Sequence, residues 1–275
     1  MDKKINELLD EIKHKELVLP EFQREYDWNK SQVRKLFESL YKNYPTGSLL
    51  IWVTDNPPKI KNDAYDLEKV RRVNVLLDGQ QRLTSIYIHR YGEVPPYYSA
   101  EEINDSYFDL YFNVMKGEFK YYKKLEMQNN PYWIQLKDLF NEEISAFELI
   151  EQDEELDGKE KHEAGKKIDN NITKIKNILT QDYPIQKVPS NADIKEAVKV
   201  FDLVNSQGTP LTTADIVLAH MTSQWPDIRR VLKDKIQELK EESFDFDLKL
   251  MTRCIVGVAT GEGDLENFSE ASEKQ

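Results

Sequence analysis

Val73-Asn74-Val75-Leu76-Leu77-Asp78-Gly79-Gln80-Gln81-Arg82-Leu83-Thr84 is the stretch on which the fold turns. A mostly apolar run, Val73 to Leu77, reads as a buried strand and feeds into a glycine turn. Beyond the turn, Leu83, Ile86, Tyr87 and Arg90 fall at neighbouring positions of a helix expected over Gln81 to Arg90. A strand that ends in glycine and opens a helix directs backbone N–H groups outward at the positive end of the helix dipole. Arg82 adds a bidentate donor for phosphate or carboxylate, and Gln80 and Gln81 add neutral donors and acceptors. The outline is that of an anion pocket, although the same letters also suit a capped turn.

Upstream, Leu19-Pro20-Glu21-Phe22-Gln23-Arg24-Glu25-Tyr26-Asp27-Trp28 repeats the Gln-Arg pair among aromatic residues, too irregular for strand or helix. It reads as a structured loop. Arginine beside Phe, Tyr and Trp can stack on a flat ring while offering its fork to a phosphate. In the plainer alternative, Phe22, Tyr26 and Trp28 anchor the loop to the core and Arg24 pairs with Glu21 or Glu25.

A third segment, Phe201-Asp202-Leu203-Val204-Asn205-Ser206-Gln207-Gly208-Thr209-Pro210-Leu211-Thr212-Thr213-Ala214-Asp215, places a polar turn between two helices. Asn205, Thr212 and Asp215 are natural capping residues, with Gly208 closing the first helix. In this order the three segments resemble the DGQQR-motif, ParB-like domain family of GmrS-type subunits of modification-dependent restriction enzymes and related anti-phage defence proteins. The likeness covers the Pro-x-Phe-Gln-Arg-x-Tyr-x-Trp loop, the Asp-Gly-Gln-Gln-Arg signature and the Phe-x-x-x-Asn-x-x-Gly-x-x-Leu-x-x-x-Asp segment, across about two hundred residues.

That resemblance implies an α+β protein: a ParB/sulfiredoxin-like α/β core over 1–125 carrying the motif, and a mainly helical region over 126–275. It implies a nucleoside triphosphate, GTP or another, bound and hydrolysed with Mg²⁺, and an HNH-type nuclease domain or partner subunit. The family motif falls on Asp78, Gly79, Gln80, Gln81 and Arg82, with Gln23 and Arg24 as neighbours. On this basis Arg82 neutralises phosphates, the amides around Gly79 to Gln81 cradle them, and Asp78 caps the turn or holds Mg²⁺. Gln80 or Gln81 orients the attacking water. Tyr26 or Trp28 stacks on a base, Thr84 lies on the same helix, and Asn205 and Asp215 border the pocket. Two other readings stay open: a sensor that binds modified DNA without turnover, and a ParB-like DNA-nicking nuclease.

Length and composition fit a globular chain. Its 275 residues, 39% hydrophobic and 11% aromatic, suffice for one large domain or two modest ones. The start, Met1-Asp2-Lys3-Lys4, has no apolar signal region, so a cytoplasmic location is expected. The net charge of −12 argues against a broad basic surface that wraps DNA, so binding of foreign or modified DNA by this fragment alone is expected to be weak. Lys69, Arg71 and Arg72, and Arg229, Arg230 and Lys233, are local positive groups more in keeping with solvated faces. A single cysteine, Cys254, excludes an internal disulfide and reads as a small core residue. His14, His89, His162 and His220 form no metal-binding pair, so no HNH site is visible and nuclease activity is expected elsewhere. The polar ending within a helical region suggests the front part of a longer protein; a homodimer is also compatible.

Elsewhere, helical spacing is expected over Lys4 to Lys13 and from near Ser31, a buried strand over Ser48 to Val53, and a hairpin at Tyr107 to Met115 and Gly117 to Tyr122. Pro131 to Phe140 reads as a short loop or helix, and the charged stretch through Lys167 as the approach to a helix bearing Ile168, Ile172 and Ile175. Tyr183 to Val188 reads as one edge strand. Helices are expected over Asn191 to Asn205, Ala214 to Ser223 and onward to about Val258.

Overall fold

The computed structural model describes residues 2–63, 72–151, 153, 156–205, 217, 218, 221, 225 and 227–261. In chain order its elements are β1 (Lys3–Lys4), α1 (Ile5–Lys13), β2 (Leu17–Val18), α2 (Lys30–Tyr41), β3 (Leu49–Thr54), β4 (Val73–Asp78) and α3 (Gln80–Tyr91). There follow β5 (Leu110–Asn113), β6 (Glu118–Tyr121), α4 (Lys124–Met127), β7 (Trp133–Gln135), α5 (Leu136–Asn141), α6 (Ala146–Glu151) and α7 (Gly158–Asn177). Then come β8 (Asp182–Tyr183), β9 (Ile185–Val188), α8 (Ile194–Asn205), α9 (Ile228–Glu241) and α10 (Leu248–Thr260). The protein is α+β, with several small sheets among a majority of helix.

Two compact units interleave along the chain. The first takes Met1–Leu17, Glu25–Leu49 and Gly79–Gln186; the second takes Val18–Arg24, Leu50–Asp78 and Lys187–Gln275.

In the first unit, α3 is the central helix, packed against α1, α2 and α5. It is buried nearly all round, from Gln80 and Gln81 through Leu83 to His89, as a helix enclosed by others must be. α1 presents Ile5, Leu8, Leu9 and Ile12 as its apolar stripe. α2 starts at Asn29, whose side chain accepts from the amides of Ser31 and Gln32, while Gln32 caps back, and it buries Val33, Leu36, Phe37 and Leu40. β5 and β6 form the expected hairpin, with Leu110 opposite Tyr121 and Asn113 opposite Glu118.

Three expectations shift. Trp133–Gln135 is a strand paired with β5, Phe112 opposite Ile134, because the hairpin offers it a free edge. The charged stretch before Ile168 is already helix: Asp157 caps α7 by accepting from the amides of Lys159 and Glu160, and Lys and Glu side chains fill its solvent face. Tyr183 to Val188 is split at Pro184. Asp182 and Tyr183 pair with β1, the Pro184 carbonyl accepts from the Leu49 amide at 2.8 Å, and β9 joins a different sheet.

The second unit holds a four-stranded sheet in the order β2-β4-β3-β9, which leaves β9 at the edge as expected. α8 packs on β4. Their shared core includes Phe22, Leu50, Trp52, Val73, Val75, Leu77, Val198 and Phe201. α9 and α10 pair through Ile228, Leu232 and Met251. Cys254 lies on α10 but is exposed rather than in the core, because Thr252 and Val256 take the buried positions of that helix. The expected helix over Ala214 to Ser223 falls mostly outside the described residues, as do Lys69, Arg71 and His220.

Candidate functional site

β4 reaches the motif through an irregularity. Leu50 pairs with Asp78 and Ile51 with Leu76, so Leu77 is one residue in excess on its strand. A bulge of this kind takes a carbonyl out of the ladder, and Gln23, 3% exposed, donates its side-chain N–H to the Leu77 oxygen. The loop that carries Gln23 is itself tied down. Its Glu21 amide donates to Lys59 O at 2.8 Å, the Lys61 amide donates to Leu19 O at 2.9 Å, and Phe22 sits in the core against Phe201 with ring centroids 5.9 Å apart. Lys61 Nζ donates to the Arg24 carbonyl at 3.2 Å, and the buried Arg229 reaches the Phe22 carbonyl at 3.4 Å. Burial pushes the Glu21 carboxyl up, against the opposing pull of Lys61, Arg229, Lys233 and Lys59. In the second unit, Gln23 and the half-buried Arg24 therefore lie on a segment tied by hydrogen bonds and flanked by cationic side chains, and Asp78 ends β4 in the same unit.

The first unit receives the rest of the motif. Gly79 is the N-cap of α3 in the left-handed conformation, φ +97°, and no side chain caps the helix. A Cβ there would overlap Leu49 Cδ2 and lie 3.3 Å from Arg82 Nη2, so glycine is required by conformation and by space. Gln80 is buried and donates to the Tyr98 hydroxyl. Gln81 holds the aromatic loop: its Oε1 accepts from the amides of Asp27 at 2.9 Å and Trp28 at 3.2 Å, and its Nε2 donates to Glu25 O at 2.9 Å. A second tie joins the Tyr26 hydroxyl to Ser85 Oγ at 2.8 Å, and Ser85 Oγ donates to Gln81 O at 2.7 Å. Thr84 is fully buried, its hydroxyl 3.1 Å from that of Tyr97. Burial pushes the pKa of the Tyr26, Tyr97 and Tyr98 hydroxyls up, so they stay protonated near neutrality.

Arg82 leaves the first turn of α3 toward the 46–48 segment. Nη1 donates to Thr46 O at 2.6 Å and Nη2 to Ser48 O at 2.8 Å, while the guanidinium carbon stands 5.9 Å from the centre of the Tyr183 ring. Thr46 Oγ1 donates to the Tyr183 hydroxyl at 2.9 Å.

The sequence-derived candidates thus separate into groups. Gly79, Gln80, Gln81 and Arg82 share one helical turn, and Gln81 and Ser85 bring the segment carrying Tyr26 and Trp28 to it. Thr84 faces the interior of the same unit. Gln23, Arg24 and Asp78 belong to the other unit. Asn205 ends α8, and its side chain and Asp215 lie outside the described residues. Thr46, Ser48, Ser85 and Tyr98 join these candidates only through tertiary contacts. Among the described residues no group of three or more His, Cys, Asp or Glu side chains could hold a metal ion, and no helix is long and apolar enough to cross a membrane.

What the α3 turn offers chemically is the positive end of a twelve-residue helix, a polarity suited to anionic oxygens, with the Arg82 guanidinium engaged on the Thr46 and Ser48 carbonyls. An uncharacterized protein of Methanocaldococcus jannaschii is 35% identical over 99 residues, covering 31% of this chain and 17% of that protein. The chain therefore spans about a sixth of that relative's length. The family model described as the GmrSD restriction endonuclease, N-terminal domain, matches residues 5–222, which include the aromatic loop, β4, the Gly79 turn and α3, and the chain belongs to that family.

Proposed function

We propose that this chain is the nucleoside-triphosphate-binding and hydrolysing domain of a modification-dependent restriction system, and that its nucleotide state controls DNA cleavage by an HNH-type nuclease domain or partner subunit. Membership of a restriction-endonuclease N-terminal domain family supports the setting. The observation that carries the nucleotide is the start of α3: a left-handed Gly79 with no side-chain cap, at the positive end of the helix around which the first unit is built.

In this reading the first-turn amides of α3 take the phosphate oxygens at the positive end of the helix dipole. Gln80, anchored through Tyr98, orients the attacking water, and Gln81 keeps the segment of Tyr26 and Trp28 beside the helix for the base. The donor set suits Mg²⁺ that arrives with the triphosphate rather than a resident metal: one carboxylate, Asp78, ends β4, and no acidic cluster accompanies it among the described residues. Bound there, Mg²⁺ would neutralise charge on the phosphates. The net charge of −12 supports a domain that controls cleavage rather than one that grips DNA.

Release of inorganic phosphate from GTP, ATP, CTP and UTP with Mg²⁺, together with calorimetric titration of each, tests this. Binding of at least one triphosphate with turnover is expected. Absence of binding by all four would remove the reading, and a gel shift with modified DNA in that case would favour the sensor.

A further inference from the structure

The loop between α2 and β3 has the Arg82 guanidinium on one side and a cavity on the other, where the Thr46 hydroxyl is tied to Tyr183. On its far face residues 43–48 border a cavity of about 360 Å³, completed by Ile5, Gln181, Tyr183 and Pro184 among others, so close packing does not hold the loop there. On its near face stands the guanidinium of Arg82, with one terminal nitrogen on Thr46 O and the other on Ser48 O. Gly47 between them has φ +92°, and a Cβ at that position would overlap Arg82 Nη1. The loop is shaped around a planar fork, which a single ammonium could not reproduce.

The contacts then close a circle within the first unit. Ser48 leads directly to Leu49, which is fully buried; Leu49 Cδ2 occupies the space beside Gly79 that a Cβ would need; Gly79 starts α3; and α3 carries Arg82, whose Nη2 lies 3.3 Å from that same Gly79 position. The arginine of the motif buttresses the turn that precedes it.

We propose that Arg82 is a positioning residue. By clamping the Thr46–Ser48 carbonyls it seats Leu49 against Gly79 and so fixes the direction in which the first-turn amides of α3 point. This deepens the phosphate site of the preceding section and rests on it. It differs from the expectation drawn from the family resemblance, in which Arg82 meets the phosphates itself: here its loss weakens nucleotide binding through the loop, and charge alone does not restore it.

The test compares Arg82→Ala, Arg82→Lys, Gly47→Ala and the Arg82→Ala/Gly47→Ala double variant. Affinity for the triphosphate that the wild type binds is measured by calorimetry, and amide exchange of residues 43–50 by mass spectrometry. If Arg82 acts through the loop, Gly47→Ala weakens binding at least tenfold although it removes no charge. Arg82→Lys then resembles Arg82→Ala, and the double variant is no weaker than the worse single one within about twofold, since both break one unit. Faster exchange at 43–50 accompanies each. Wild-type affinity in Gly47→Ala, rescue by Arg82→Lys, or losses that multiply would overturn the proposal. Should the wild type bind no triphosphate, the phosphate reading fails by itself, and unchanged exchange at 43–50 in Arg82→Lys and Gly47→Ala would separately dismiss the clamp. If Arg82→Ala does not fold, the lysine and Gly47 variants still decide.

Discussion

Replacing Gly79 by alanine adds one methyl group at the point where strand becomes helix. Two costs follow from the structure. The residue sits at φ +97°, where an L side chain is strained by about 1–2 kcal/mol. The new Cβ also falls closer than 3.0 Å to Leu49 Cδ2, and Leu49 is fully buried, so relief requires an off-rotamer leucine or a backbone shift, which costs about 1–3 kcal/mol. Together they predict a loss of about 2–5 kcal/mol. At about 2–4 °C per kcal/mol for a chain of this size class, Tm should fall by about 4–20 °C. Gly158 supplies the control: it is the first residue of α7, its φ is not in the left-handed range, and a Cβ there meets nothing within 4 Å. Gly158→Ala should leave stability unchanged or raise it by up to about 1 kcal/mol. Urea and thermal melts followed by circular dichroism measure both. Equal midpoints for the two variants would refute the claim that the Gly79 turn is locked by conformation and by Leu49.

Gln81→Ala removes the partner of the Asp27 and Trp28 amides and of the Glu25 carbonyl, each part-buried. A cost of about 1–3 kcal/mol for the groups left behind is expected, with faster amide exchange confined to residues 25–28; unchanged exchange there would show that the loop is held by other means. His89 is fully buried against Phe37 and donates from Nδ1 to Ser85 O at 2.7 Å; desolvation lowers its pKa from 6.5 to about 4. The folded pKa lies below the unfolded one, so the unfolded chain takes up the proton first as pH falls. The contribution of His89 is complete above pH 6.5 and is lost between 6.5 and about 4, by about 3 kcal/mol at most. Urea melts from pH 7 to pH 4 on wild type and His89→Phe should show a shallower decline in the variant, and parallel curves would exclude His89 as the source.

Local spacing is enough to place most of the helices and the central strands. α1, α2 and α3 each show an apolar repeat with an identifiable start, and β3 and β4 are short apolar runs bounded by turns. Those signals lie within a few residues of one another, where periodicity reports burial directly. β7 was illegible because three residues carry no period, and they become a strand only beside β5. The start of α7 was hidden by charge: its polar face fills the segment, and the cap at Asp157 is the only local sign. Cys254 went astray because helical spacing says which residues share a face but not which face is covered.

By itself, then, the sequence determined an α+β protein of a restriction-endonuclease N-terminal domain family, a strand–glycine–helix junction at Asp78-Gly79, and the residue types gathered around it. Tertiary structure alone decided what those side chains touch. Gln23 answers a carbonyl that a bulge releases, Gln81 holds a loop more than fifty residues upstream, and Arg82 grips two carbonyls across the α2–β3 connection. The reason is physical: glutamine and arginine offer the same donors to a ligand and to a backbone, and only the packing of distant segments determines which of the two comes within 3 Å.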